Sequence, residues 1–232
     1  MQNIIIATIK EWNIQNYFKL KEQFKTSYKF HLITNKDELT QELVKDLNPK
    51  YIFFPHWSWI IPKNIYNNFE CIVFHMTDLP FGRGGSPLQN LILRGIYDTK
   101  ISAIKVQKEL DTGDIYMKED FNISNGSAKE IYINISNLIF AKMIPNILEN
   151  TLVPTKQLGK IVNFKRRTPQ NSDIQTLKDC NSTKIYDFIR MLDAQGYPNA
   201  YLGLNNKLKI TFNNIVKKDG KIIGNFEVIE DE

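Results

Sequence analysis

His75-Met76-Thr77-Asp78-Leu79-Pro80-Phe81-Gly82-Arg83-Gly84-Gly85-Ser86-Pro87-Leu88-Gln89 follows Cys71-Ile72-Val73-Phe74, an apolar run of the length of a buried strand. The stretch opens with an ionisable histidine at the strand end and turns through Pro80 and three glycines. It closes on Ser86-Pro87, a helix start with serine as N-cap and proline at the first helical position. A strand, a histidine, a glycine turn and a helix N-terminus are how α/β sheets present chemistry at the carboxyl edges of their strands.

Working outward, 3–8, 28–34 and 51–54 read as further strands, the first fully buried and the third an unbroken apolar run. Between them, Trp12, Ile14, Tyr17, Phe18 and Phe24 recur at roughly helical spacing, and Asn35 with Glu38 resembles a capping box opening a helix to about Leu47. Lys100–Val106 reads as a strand, Leu110-Asp111-Thr112-Gly113-Asp114 as a tight polar turn followed by Ile115-Tyr116-Met117, and Ser127 with Glu130 as the start of a long helix that Pro145 should kink or end. This alternation predicts an α/β fold with a mainly parallel sheet covered on both faces. After Pro154 a basic strand-like segment, a short helix from Ser182 and strands joined at Asp219-Gly220 predict a small β-rich C-terminal region. The expected division is 1–165 and 166–232.

The 232 residues are 42% hydrophobic, enough for a sizeable core, and the net charge is a modest +5. No apolar run reads as long enough to span a bilayer, and the N-terminus shows neither a basic flank nor a cleavage site, so no membrane association and a cytoplasmic location are expected. Cys71 and Cys180 do not make a disulfide framework, and no spacing suggests a metal site. There is no GxGxxG after the first strand, which disfavours a dinucleotide site.

Of the three histidines, His31 lies mid-strand, whereas His56 and His75 fall just past strand ends. Asp111 belongs either to a turn with a side-chain-to-backbone bond or to a carboxylate that shares a cleft with His75, and an Asp–His pair is a workable proton-transfer couple. Arg83-Gly84-Gly85-Ser86 is either a backbone donor nest for an anion or a turn that merely needs glycine.

The stretch from His75 to Gln89, followed some 35 residues on (roughly) by Leu110-Asp111-Thr112-Gly113-Asp114, resembles the paired signatures of the formyl-tetrahydrofolate-dependent formyltransferases. The resemblance implies a Rossmann-like catalytic domain and 10-formyltetrahydrofolate as formyl donor, with no metal. It makes His75 the catalytic histidine, stabilising the developing oxyanion, and Asp111 the aspartate that orients it and helps deprotonate the attacking amine. The family's third catalytic residue, an asparagine two positions before the histidine, is Val73 here, and His56 is the candidate to replace it. Trp57, Trp59, Ile60, Ile61 and Asp114 would contact the folate, the alternative for the two tryptophans being packing. Phe164–Pro169 and Leu192–Tyr201 resemble segments of sugar-modifying members, and the short tail and modest charge argue against transfer RNA. A nucleotide-linked amino sugar is therefore the expected acceptor, contacted by Phe81, Arg83, Gly84, Gly85, Ser86, Gln89, Lys165, Arg166 and Arg167; the alternatives are a family member acting on charged transfer RNA and a catalytically silent folate- or nucleotide-sugar-binding homologue, the latter suggested by Val73. A homodimer is left open.

Overall fold

The structure, a computed structural model, describes residues 1–205 and 207–230. Its centre is a six-stranded sheet of order β2-β1-β3-β4-β6-β7. Strands β1 (Gln2–Ala7), β2 (Tyr28–Ile33), β3 (Tyr51–Phe54) and β4 (Cys71–His75) pair in parallel, and β6 (Asp98–Lys105) runs antiparallel to β4 with His75 opposite Ser102. β7 spans Ile115–Asn122. This is the mainly parallel α/β architecture expected. Unbroken apolar runs at β1 and β3 are fully buried, as strands covered on both faces must be.

One sheet face carries Ile5, Ala7, Ile33, Ile52, Phe54 and Cys71 against Val44 of α2 (Gln41–Leu47) and Ile65 of α3 (Lys63–Tyr66), with Val73 and Trp57 packed on the same cluster. Strand alternation puts Cys71, Val73 and His75 on that side of β4. The parallel strands all end at one edge, so Thr8, Pro55-His56 and His75 lie along a single carboxyl border.

The chain forms two compact units, each assembled from several stretches: 1–83, 100–121 and 133–163 in the first, 84–99, 122–132 and 164–232 in the second. Within the second, α4 (Pro87–Leu93) and α7 (Ser182–Arg190) contact each other, and β9 (Ala200–Gly203), β10 (Leu208–Lys218) and β11 (Lys221–Glu230) form an antiparallel sheet. Asp219 and Gly220, both at positive φ (50° and 71°), make the two-residue turn that suits such a hairpin.

Several local expectations are corrected. Helix α1 (Glu11–Gln23) buries Asn13, Asn16, Tyr17 and Leu20, while Phe18 faces solvent. The asparagines are inside because each has buried partners: Asn13 Nδ2 donates to Thr8 Oγ1 (2.8 Å) and the Pro55 carbonyl (3.1 Å), and Asn16 Nδ2 to Ser136 Oγ and Asn137 Oδ1 (both 2.9 Å). Asn35 caps only a 3₁₀ turn at Lys36–Glu38; α2 begins later, capped by Thr40.

The glycine loop includes a strand, β5 (Phe81–Gly84), paired with β8 (Val162–Phe164). Ser86 precedes α4 but does not cap it through its side chain; its Oγ accepts the Arg167 N–H at 3.0 Å instead. Pro145 does not end its helix. A π-helical turn at Ile139–Met143 links α5 (Ala128–Leu138) to α6 (Ile144–Glu149), shifting the bonding frame just ahead of the residue that has no N–H to give. The resulting helical span, Ala128–Glu149, has the length and apolarity of a membrane-crossing segment, against expectation, but most of it is buried within the molecule as a core helix.

Candidate active site

His75 ends β4, buried, with both ring nitrogens engaged. Nε2 lies 2.8 Å from the Gly82 carbonyl, and Nδ1 lies 3.5 Å from Asp111 Oδ1. A carbonyl only accepts, so Nε2 carries a proton and Nδ1 faces the carboxylate. Asp111 and Nδ1 are thus a pair between which a proton can be held or moved. The ring is thus held at Nε2 by the Gly82 carbonyl as well as facing Asp111 at Nδ1.

Asp111 sits in the β6–β7 loop with φ at 56°, in the left-handed region that non-glycine residues rarely adopt. The loop is pressed against β6: the Lys105 N–H donates to the Asp114 carbonyl (2.9 Å), and a Cβ built on Gly113 would stand 1.7 Å from the Lys105 carbonyl oxygen. Only glycine permits that approach. Gln157 Nε2 donates to the carbonyls of Asp111 (2.9 Å) and Gly113 (2.8 Å), and Arg83 donates from Nε and Nη2 to Gln157 Oε1 at 3.0 and 2.7 Å. Neither Gly82 nor Gln157 was foreseen; a backbone carbonyl and a lone carboxamide 46 residues from Asp111 leave no motif.

His56 ends β3 at φ 54°, its ring edge-on to Trp12 at 6.3 Å. Burial, and then the charge of Lys10, push its imidazole down to about 4. Between pH 6.5 and 4 the unfolded chain binds a proton here that the folded chain refuses. Stability contributed by His56 is therefore present above pH 6.5 and lost as pH falls through this window. Denaturant titrations of wild type should show a loss from this group of about 2 kcal/mol between pH 7 and pH 5. His56→Asn, which tolerates the left-handed backbone, should lack that component; an unchanged pH slope would remove His56 as its source.

Trp57 packs against Phe54 (5.9 Å) and edge-on to Trp59 (4.8 Å), and its buried Nε1–H has no partner among the described residues. Ile60 is 95% exposed, while Ile61 is buried in the core cluster beside Ile65, so Ile61 serves packing and not a ligand surface. Val73 is half-buried against the apolar cluster and itself offers no polar group in the asparagine's place.

Of the expected substrate-contacting residues, Phe81 and Arg83 lie in the first unit with the His–Asp pair, and Arg83 is spent on Gln157. Gly84, Gly85, Ser86, Gln89, Lys165, Arg166 and Arg167 lie in the second unit, where most have structural work. Gln89 is 2% exposed and donates to the Met191 carbonyl at 2.9 Å. Gly84, at φ 102°, would place a Cβ 2.5 Å from the Phe164 carbonyl oxygen, and one on Gly85 would stand 2.6 Å from Arg166 Cβ. The glycines admit the 164–166 backbone, which leaves β8 at Phe164. The Lys165 carbonyl accepts from Asn90, and Arg167 lies over the Phe188 ring at 5.5 Å while its Nη2 donates to the Asn171 carbonyl. Burial lowers the Arg167 pKa. Among the described residues, no group of three or more side chains suited to a metal ion comes together.

The family described as formyl transferase matches residues 10–138, more than half of the chain, and methionyl-tRNA formyltransferase, C-terminal domain, matches 169–229. The chain belongs to the formyl transferase family. A structure of methionyl-tRNA formyltransferase from Clostridium thermocellum is 55% identical, covering 99% of this chain and 100% of that one with a TM-score of 0.94. Methionyl-tRNA formyltransferase of Rickettsia felis is 30% identical over 182 residues, 75% of this chain and 58% of that protein. The formyl transferase chain here thus spans a little over half the length of the curated relatives it matches.

These findings overturn two expectations. A sugar N-formyltransferase from Shewanella has the same fold over 99% of this chain and 98% of its own (TM-score 0.70), but at 15% identity that likeness reaches no further than the fold. The nucleotide-linked amino sugar is not supported as acceptor, and nucleic acid is not excluded as partner. The error has a physical cause. Net charge summed over a chain says nothing of where the charge stands, and the Gly84–Gln89 and Lys165–Arg167 segments read as sugar contacts are largely packing elements.

Proposed function

We propose that this formyl transferase moves the formyl group of 10-formyltetrahydrofolate onto the α-amine of methionyl-tRNA, in the cytoplasm where both substrates occur. The 55% identity to a methionyl-tRNA formyltransferase along the whole of both chains carries this reading. In it, the neutral amine attacks the formyl carbon. The Asp111–His75 pair accepts the proton that the amine loses, and a proton goes to the folate nitrogen as its bond to the formyl carbon breaks. The Trp57 ring, edge-on to Phe54 and Trp59, is the candidate to line the flat ring system of a folate. His56, neutral at pH 7 and carrying one N–H, is the candidate oxyanion donor in place of an asparagine at Val73.

The test is tetrahydrofolate release from 10-formyltetrahydrofolate with purified protein. Release should require methionyl-tRNA, with uncharged tRNA and free methionine inert. Release with neither tRNA species, or equally with both, contradicts the proposal.

A further inference from the structure

A carboxamide has two N–H donors and two acceptor lone pairs, and Gln157 uses all four. Its Nε2 serves the carbonyls of Asp111 and Gly113; its Oε1 takes two bonds from Arg83. The amide orientation is forced, since carbonyls only accept and a guanidinium only donates. The segment is anchored two residues earlier, where Thr155 and Ile115 exchange both backbone bonds (2.9 and 2.7 Å). Gln157 therefore stands beside the 111–115 loop on a fixed support.

The other end of this chain of bonds is β5. Gly82 gives its carbonyl to His75 Nε2, and the next residue, Arg83, grips Gln157. One short strand thus holds both members of the pair, the histidine through its backbone and the aspartate loop through a side chain. The loop needs holding, because Asp111 is kept in a left-handed conformation that its own backbone disfavours.

We propose that Arg83 and Gln157 are positioning residues: a clamp on the Asp111–Gly113 backbone that sets the carboxylate opposite His75. The proposal rests on the formyl-transfer reading for its kinetic consequence and on geometry alone for its effect on the loop.

The test uses Gln157→Leu, Gln157→Glu, Arg83→Met and the double variants with Asp111→Asn. In Gln157→Leu, kcat should fall about 10- to 100-fold, the scale of an ångström-sized misplacement, with KM for both substrates and the melting temperature unchanged. Gln157→Glu retains a partner for Arg83 but turns a carboxylate on two carbonyls, and should fall as far. Gln157→Leu added to Asp111→Asn should cost nothing further, because the clamp acts through Asp111. Amide exchange at Lys105, whose N–H is bonded to the Asp114 carbonyl, should quicken at least about tenfold in Gln157→Leu while β1 and β3 stay protected. That last readout does not depend on catalysis, so an inactive wild type would sink the functional reading and still leave the clamp tested. Wild-type exchange at Lys105, or a full additive loss on the Asp111→Asn background, would overturn the clamp.

Discussion

Replacing Asp111 with asparagine should lower kcat by about 10²- to 10⁴-fold with little change in stability or in the affinity for either substrate. Asparagine has nearly the same shape and is at ease at φ 56°, so the loop keeps its path. What disappears is the group that can take a proton. His75 Nδ1 then faces a carboxamide at the place where the structure puts a carboxylate 3.5 Å away. Steady-state kinetics with thermal melting and folate binding by tryptophan quenching separate these effects. Near wild-type turnover in Asp111→Asn would mean that the proton leaves by another route.

Gly113→Ala should be the most disruptive single methyl in the site. The new Cβ would lie 1.7 Å from the Lys105 carbonyl oxygen and 2.8 Å from its carbon, and both are backbone atoms of a sheet strand that cannot swing aside. The loop must retreat, losing the Lys105-to-Asp114 and Gln157-to-Gly113 bonds and carrying Asp111 away from His75. The expected cost is about 1–3 kcal/mol of stability from overpacking, with a loss of about 100-fold in kcat/KM for displacement of the carboxylate. Gly95→Ala is the control. Gly95 has a positive φ, 66°, which Gly113 does not, but a Cβ there meets nothing within 4 Å, so it should cost roughly 1 kcal/mol of stability and leave turnover untouched. Equal turnover losses in the two variants would show that destabilisation, not loop geometry, governs activity.

The sheet was legible because runs such as Ile4–Ala7 and Ile52–Phe54 are buried on both faces and, like Cys71–Phe74, leave no polar alternation to misread. The two motifs gave His75 and Asp111 because histidine at a strand end and Leu-Asp-Thr-Gly-Asp are local patterns. What holds the two together was not legible. Gly82 acts through a carbonyl that every residue has, and Gln157 acts at a separation of 46 residues. The motif also misled: Gln89, Gly84, Gly85 and Ser86 bond or pack within their own unit, so a sequence signature that looks like a binding loop is in large part a folding signature. Helix α1 was misread for a related reason. Its buried face carries two asparagines, Asn13 paired with Thr8 and the Pro55 carbonyl and Asn16 with side chains of α5, and hydrophobic spacing has no way to register them.

The central claim is that the His75–Asp111 pair drives formyl transfer to an aminoacyl amine. Its most direct measurement is product analysis: methionyl-tRNA incubated with 10-formyltetrahydrofolate and enzyme, hydrolysed with base and resolved for N-formylmethionine. Wild type should yield N-formylmethionine, and Asp111→Asn at least about 100-fold less at equal time. No N-formylmethionine from wild type, or equal amounts from both proteins, would contradict the account.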